Sequence, residues 1–249
     1  GHAVGPQWVA SLPRPGGRGG PAPAIIHSEV AGVSDSARPG RASVTLGNGE
    51  VHEVDFVVSA VGAEPNTSWL PPELERAPDG GLRVGMSMQT SCPSVYAAGD
   101  VCTVDRDPEL CPNWFQMRLW TQARVMGAYA AHCMAGVADE MMSGFNFEMF
   151  THCTKFFGLK VVLLGLYNGQ TLEAEPEEDI VTYQRVMERE GGLSFARILL
   201  LRGRMRGAVL IGETGLEEAF ENLILTGLNL TGIAPQLLDP DLEIDHIFD

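Results

Sequence analysis

Four apolar runs separated by short turn signals constrain the second half of this chain. They are "LKVVLLGLYN" (159–168), "DIVTYQRVMER" (179–189), "LSFARILLLR" (193–202) and "GRMRGAVLIGE" (203–213). Runs of this length, rich in β-branched residues and punctuated by Gly191-Gly192 and Arg202-Gly203, read as strands joined by tight turns. The next segment, "GLEEAFENLILTGLN" (215–229), places Leu216, Ala219, Phe220, Leu223 and Ile224 at helical spacing. Phe220, Leu223 and Ile224 are expected inward, and Glu217, Glu218 and Glu221 outward. A small antiparallel sheet with one covering helix is an α+β unit, and residues 143–249 are long enough to fold as one.

The first half has a different texture. Residues 1–28 are rich in Gly and Pro and are expected to be disordered. "GRGGPA" (17–22) formally matches G-x-G-x-x-A, but no strand precedes it and Pro21 removes a needed N–H, so it is rejected as a phosphate loop. "ASVTLGNG" (42–49) alternates and then turns at Asn48-Gly49, a hairpin signal leading into a buried strand at Phe56–Ala60. Residues 63–73 carry three prolines and read as loop. Short strands follow at Leu82–Val84 and Val95–Ala98. Residues 115–135 read as a helix, with Trp120, Ala123, Gly127, Ala130 and Met134 on a stripe for close packing.

"SVYAAGDVCT" (94–103) points to chemistry. A strand of small residues ending Gly99-Asp100 can set a carboxylate at the carboxyl end of a sheet, where open α/β folds bind ligands. Gly99 permits close approach. Asp100 can accept charge-assisted hydrogen bonds from a polyol hydroxyl, or can cap a turn.

Context favours the ligand. "TSCPSVYAAGD" (90–100) resembles the second flavin-binding motif of the two-dinucleotide-domain flavoproteins, the pyridine nucleotide-disulfide oxidoreductase family: Thr, four residues, a hydrophobic pair, Ala-Ala-Gly-Asp. "VVSAVGAEPN" (57–66) resembles the motif by which the nicotinamide domain of that family returns to the flavin domain. "SVTLGNGEVHEVDFVVSAVG" (43–62) resembles the last hairpin of that nicotinamide domain. "MRLWTQARVMGAYAAHCM" (117–134) and the tail "LLDPDLEIDHIFD" are similar to one eukaryotic branch of the family, so the resemblance covers about residues 42–249. The last domain resembles the carboxy-terminal domain of assimilatory nitrite reductases.

This resemblance implies an α/β fold: part of a two-dinucleotide-binding, Rossmann-like flavoprotein followed by a small α+β carboxy-terminal domain. The implied organisation is a disordered segment (1–28), the end of a nicotinamide-binding domain (29–63), part of an FAD-binding domain (64–142) and the α+β domain with its acidic tail (143–249). It implies FAD as cofactor and NAD(P)H as hydride donor. It implies that Gly99 and Asp100 meet the ribityl chain, and that the Thr121 and Gln122 backbone N–H groups meet the flavin C2 carbonyl. No catalytic residue is assigned. The resemblance also implies protection of the tRNA-splicing ligase complex from oxidation, and a place in nucleus, cytoplasm and muscle sarcomere. Neither Gly-rich dinucleotide loop is present, so the chain is expected to be a fragment, inactive alone. The alternative reading is a non-catalytic interaction module in a redox-regulated complex.

Charge and cysteines narrow the rest. Asp and Glu number 32 against 17 Lys and Arg, a net charge of −15, which argues against direct nucleic-acid binding. No apolar run approaches the roughly 20 residues of a membrane span, no signal peptide is read, and the five cysteines without paired spacing fit a reduced, intracellular compartment. Burial as small hydrophobes is expected of them. The dipeptides His132-Cys133 and His152-Cys153 lack zinc spacing, so no metal is expected, only a surface His and a packed Cys in each. Trp114 and Trp120 are candidates for a flavin wall or for core.

Overall fold

In the computed structural model, residues 24–139, 141, 146–156, 158–189 and 192–239 are described. The first 23 residues, position 143, Gly191 and the tail beyond Asp239 lie outside them, so the expectations placed there are not addressed. The chain divides into two units between Ala63 and Glu64.

Residues 24–63 carry a three-stranded antiparallel meander of β1 (Val30–Asp35), β2 (Ala42–Leu46) and β3 (Val51–Val54). The hairpin turns at Asn48-Gly49, where the Asn48 Oδ1 accepts from the Glu50 N–H at 3.0 Å. The expected buried strand at Phe56–Ala60 does not form. These residues lack regular structure, and Phe56 and Val58 are 78% and 75% exposed. An apolar run becomes a strand only where a neighbouring strand accepts its N–H groups, and among the described residues none pairs with it.

The second unit begins with a loop that Arg76 gathers by donating to the carbonyls of Thr67, Leu70 and Leu74, each at 3.1 Å. β4 (Leu82–Val84) pairs in parallel with β5 (Cys102–Val104). The expected strand at Val95–Ala98 is instead one arm of an irregular local hairpin. The Ala97 N–H bonds to Met88 O at 3.0 Å, Thr90 N–H to Val95 O at 2.9 Å, and a single bridge joins Gln89 to Tyr96. Those local bonds use the groups a sheet would need, so the strand starts after Gly99-Asp100 rather than ending there.

Helix α1 runs Trp120–Ala135 and not from residue 115. The Gln122 side chain holds the preceding segment extended: its Oε1 accepts from the Met117 N–H at 2.7 Å and its Nε2 donates to Phe115 O at 2.9 Å. The helix ends at left-handed Gly136, whose N–H bonds to Cys133 O while that of Val137 reaches His132 O. Its buried face is Met126, Tyr129 and Ala130. The expected stripe holds at Ala130, which is buried, and at Ala123, which closely approaches Gly99, but not at Gly127, Trp120 or Met134, the last two being 95% and 64% exposed.

Residues 151–211 form a five-stranded antiparallel sheet in the order β6-β7-β10-β9-β8, built from β6 (Thr151–Phe156), β7 (Leu159–Gly165), β8 (Ile180–Arg189), β9 (Gly192–Leu201) and β10 (Arg204–Ile211). Four of these match the apolar runs. The fifth, β6, has the sequence "THCTKF", whose exposed face leaves little apolar alternation to read. Helix α2 (Glu217–Thr226) covers one face, with Phe220, Leu223 and Ile224 buried against Leu164, Ile198 and Leu210. Glu218 and Glu221 face outward. Glu217 departs from expectation: it is half-buried and paired with Lys160 Nζ at 2.7 Å. Burial opposes its charge, but that bond holds its carboxyl below the usual range. Gly207 permits the chain to cross closely, since a Cβ there would meet the Leu166 carbonyl carbon and the Tyr167 N. No helix among the described residues is long and apolar enough to cross a membrane.

Candidate functional site

Gly99 and Asp100 sit in a single 3₁₀ turn between the 88–97 hairpin and β5. Gly99 is buried at φ +78°, and a Cβ there would lie 3.1 Å from that of Ala123 in the first turn of α1. Arg118 joins the two segments, its Nε donating to Asp100 O at 3.2 Å. The structure therefore brings Gly99, Asp100, Thr121 and Gln122 to one place. This contact rests on the missing side chain at Gly99.

Each has a distinct environment. Asp100 is exposed, and its carboxylate bonds to no described residue. It precedes a strand rather than following one, so its position comes from the turn and not from a strand's carboxyl end. The first backbone bond of α1 runs from Ala123 N–H to Leu119 O at 2.8 Å. The Thr121 and Gln122 N–H groups, nearer the helix start, have no acceptor among the described residues, as helix geometry requires. Thr121 is exposed, and the Gln122 side chain is occupied by the Phe115–Met117 segment.

The surrounding scaffold uses residues that no motif singles out. Arg118 Nη2 meets Asp79 Oδ2 at 2.7 Å, and Thr103 Oγ1 donates to Asp79 at 2.8 Å. Burial would raise the Asp79 pKa, but the bonds from Arg118, Thr103 and the Gly81 N–H outweigh it and hold the carboxyl below its ordinary value. Arg118 is thereby neutralised. Gln116 stands in for a missing strand beside β5, accepting from the Val104 N–H and donating to Cys102 O, both at 2.8 Å. The signals available in sequence were the turn "PDGG" for Asp79 and nothing for Gln116, whose partners depend on how the chain returns.

The cysteines divide. Burial pushes the Cys102 thiol up to about 12, and it lies 3.4 Å from Gly99 O, so it is inert at neutral pH. Cys111 is also buried, whereas Cys92 and Cys153 are exposed, contrary to expectation. His132 is exposed and Cys133 half-buried, as anticipated. The second pair is inverted, with His152 half-buried and Cys153 exposed.

A cleft of about 410 Å³ opens between the first turns of α1 and the outer face of α2. Thr121, Gln122 and Val125 line one wall, Glu221 and Leu225 the other, and Trp114, Met149 and Phe150 the floor. Trp114 is 3% exposed and packs edge-on against Phe147, ring centroids 5.0 Å apart. It is thus both core and cleft wall; Trp120 is neither.

The fit to a flavin can be judged from these residues. An exposed unpaired carboxylate, two unpaired helix-start N–H groups and a glycine whose Cβ would push the two segments apart suit the polyol and pyrimidine carbonyl of FAD. No residue described here forms a pyrophosphate loop.

Residues 24–127 match the family model described as pyridine nucleotide-disulphide oxidoreductase. A mouse protein named pyridine nucleotide-disulfide oxidoreductase domain-containing protein 1 is 47% identical over 213 residues, covering 83% of this chain and 40% of the relative. Its namesake from Drosophila melanogaster is 40% identical over 260 residues, covering 100% of this chain and 53% of the relative. Monodehydroascorbate reductase 4 of Arabidopsis thaliana is 27% identical over 188 residues. A pyridine nucleotide-disulfide family oxidoreductase from Enterococcus faecalis superposes with a TM-score of 0.59 at 19% identity, covering 81% of this chain and 47% of the other, which establishes the shared fold. The chain is a homologue of these oxidoreductases along most of its length, and it spans about half the length of the curated relatives it matches.

Proposed function

We propose that this homologue of the pyridine nucleotide-disulfide oxidoreductases forms the flavin-contacting and carboxy-terminal part of an FAD-dependent enzyme that oxidises NAD(P)H. The observation that carries the reading is the packing of the Gly99-Asp100 turn against the start of α1. One unpaired carboxylate lies in that turn and two unpaired N–H groups at the start of the helix it packs against.

FAD, when bound, supplies the two-electron chemistry, receiving a hydride from NAD(P)H. The chain's own residues hold and tune it. Asp100 accepts hydrogen bonds from a ribityl hydroxyl. The Thr121 and Gln122 N–H groups donate to a carbonyl oxygen on which negative charge accumulates. A helix start carries roughly half a positive charge, which stabilises such an anion. With Arg118 neutralised by Asp79, that stabilising field belongs to the helix rather than to a cation. Gln122 contributes further by fixing where the helix begins. Cys102 takes no part, since its thiol stays protonated.

The test is flavin occupancy in the protein that carries this chain. Asp100→Ala loses a charge-assisted bond, on the order of 1.5–3 kcal/mol or about 10–150-fold in FAD affinity. Equal flavin absorbance per protein in variant and parent sinks the assignment, and no flavin in the parent leaves the interaction-module reading in its place. Protection of the tRNA-splicing ligase complex, and a place in nucleus, cytoplasm and sarcomere, are proposed on sequence resemblance alone; co-purification with the ligase from cell extract tests the first.

A further inference from the structure

We propose that Asp79 is a positioning residue for the flavin: by pairing with Arg118 it cancels the cation beside the Gly99-Asp100 turn and so keeps the flavin's reduction potential low. This rests on the proposed function and deepens it, because Arg118 bonds to the same turn whose carboxylate is assigned to the ribityl chain, its Nε donating to Asp100 O at 3.2 Å.

Arg118 stands three residues before Thr121, where the helix start already presents its N–H groups. Left unpaired, its unit charge would add to the roughly half charge of that helix start. Instead its Nη2 meets Asp79 Oδ2 at 2.7 Å. Only 21% of the Arg118 side chain is exposed, so salt screens this pair less than a surface pair. The place that receives the Asp79 carboxylate is built for it. Thr103 Oγ1 lies 2.8 and 2.9 Å from its two oxygens, and the Gly81 N–H donates to Oδ1 at 3.1 Å. A Cβ at Gly81 would overlap the Thr103 hydroxyl, so the network needs a glycine there. Burial opposes the Asp79 charge, but the bonds from Arg118, Thr103 and Gly81 outweigh it, and the pair stays ionised at neutral pH. The Asp100 carboxylate forms no ion pair with Arg118 among the described residues, although its backbone carbonyl bonds to it.

Two-electron reduction leaves negative charge on the pyrimidine edge of a flavin, whereas the oxidised ring is neutral. A nearby unit charge therefore acts on the reduced form. A cation stabilises that form and raises the potential; an anion lowers it. Asp79 and Arg118 act with opposite signs and nearly cancel, which leaves the helix N–H groups as the stabilising field. Loss of either member should shift the potential according to the charge that remains, and loss of both should restore it. A residue that only braced the fold would weaken FAD binding without moving the potential in opposite directions.

The test is the midpoint potential of the flavin in the protein carrying this chain, titrated against a reference dye at fixed low salt. Asp79→Asn, which keeps the side chain's shape, is expected to favour the reduced form about tenfold, a rise of about 30 mV for a two-electron couple. Arg118→Gln is expected to lower the potential by a similar amount. The double variant Asp79→Asn/Arg118→Gln is expected to return to within about threefold of the parent, and Asp79→Glu, which keeps the charge, to match it. Arg118→Gln also loosens the turn and lowers FAD affinity, but affinity lost equally from both oxidation states does not move a potential. Shifts of the same sign in the two single variants, no shift in Asp79→Asn, or a double variant that keeps the larger shift overturns the proposal. If Arg118→Gln does not fold, Asp79→Asn and Asp79→Glu decide the matter between them. Flavin absorbance on the same samples is separate. Flavin with an unmoved potential defeats this inference alone, whereas a parent without flavin defeats the proposed function and takes the inference with it.

Discussion

Gly99→Ala is the sharpest probe of the contact that assembles the site. Gly99 has φ +78°, a conformation costing a residue with a Cβ about 1–2 kcal/mol. The new methyl would also lie 3.1 Å from the Ala123 Cβ, inside the roughly 3.5–4.0 Å of ordinary carbon contact. Ala123 belongs to the first turn of a 16-residue helix, so it cannot swing aside as a long side chain would. Relieving the overlap shifts turn or helix and adds about 1 kcal/mol, the lower end for overpacking. Together the cost is about 2–3 kcal/mol, or about 4–12 °C in Tm for a unit of this size. Combining it with Ala123→Gly removes the overlap but not the backbone cost. The double variant should therefore recover about 1 kcal/mol relative to additivity. Thermal and denaturant melts of all four proteins provide the cycle. Additive effects would show that the turn and helix do not touch as described, and an unchanged Gly99→Ala melt would refute both terms.

Three other outcomes follow from the same geometry. Gln116→Leu leaves the Val104 N–H and Cys102 carbonyl beside β5 without partners and should cost about 1–3 kcal/mol in a denaturant melt. Phe220→Ala, fully buried on the inner face of α2, should cost about 3–5 kcal/mol, while Glu221→Gln on the exposed face stays within about 0.5 kcal/mol; similar melts for the two would show that the helix face is misassigned. Asp79 has a carboxyl pKa below its ordinary value in the folded state, so its contribution is present above about pH 3.9 and fades as pH falls through the folded value. The stability gap between parent and Asp79→Asn should therefore narrow on acidification, as melts across pH 2–6 would read, and a gap that widens contradicts the Arg118 pairing.

Periodicity and turn chemistry were enough for four of the five strands of the carboxy-terminal sheet, because apolar alternation and glycine turns are local properties, while β6 lacked the alternation. The hairpin at Asn48-Gly49 and the inward triad Phe220, Leu223 and Ile224 were legible for the same reason. The short motif around Gly99-Asp100 and the Trp120–Ala123 segment carried the resemblance to the flavoproteins, since those residues answer to a ligand's shape more than to their own fold. Tertiary structure decided what depended on distant partners. Phe56–Ala60 has strand composition but no neighbour to pair with among the described residues, and Val95–Ala98 spends its bonds in a local hairpin. The buried face of α1 joined Ala130 to the large side chains Met126 and Tyr129, which fill core volume, while Ala123 gave the close approach to Gly99. Gln116, Arg118 and Asp79 acquired their roles from segments up to 39 residues away, as in the Arg118–Asp79 pair. A hydrogen bond's value depends on where its partner arrives, and no local pattern encodes that arrival.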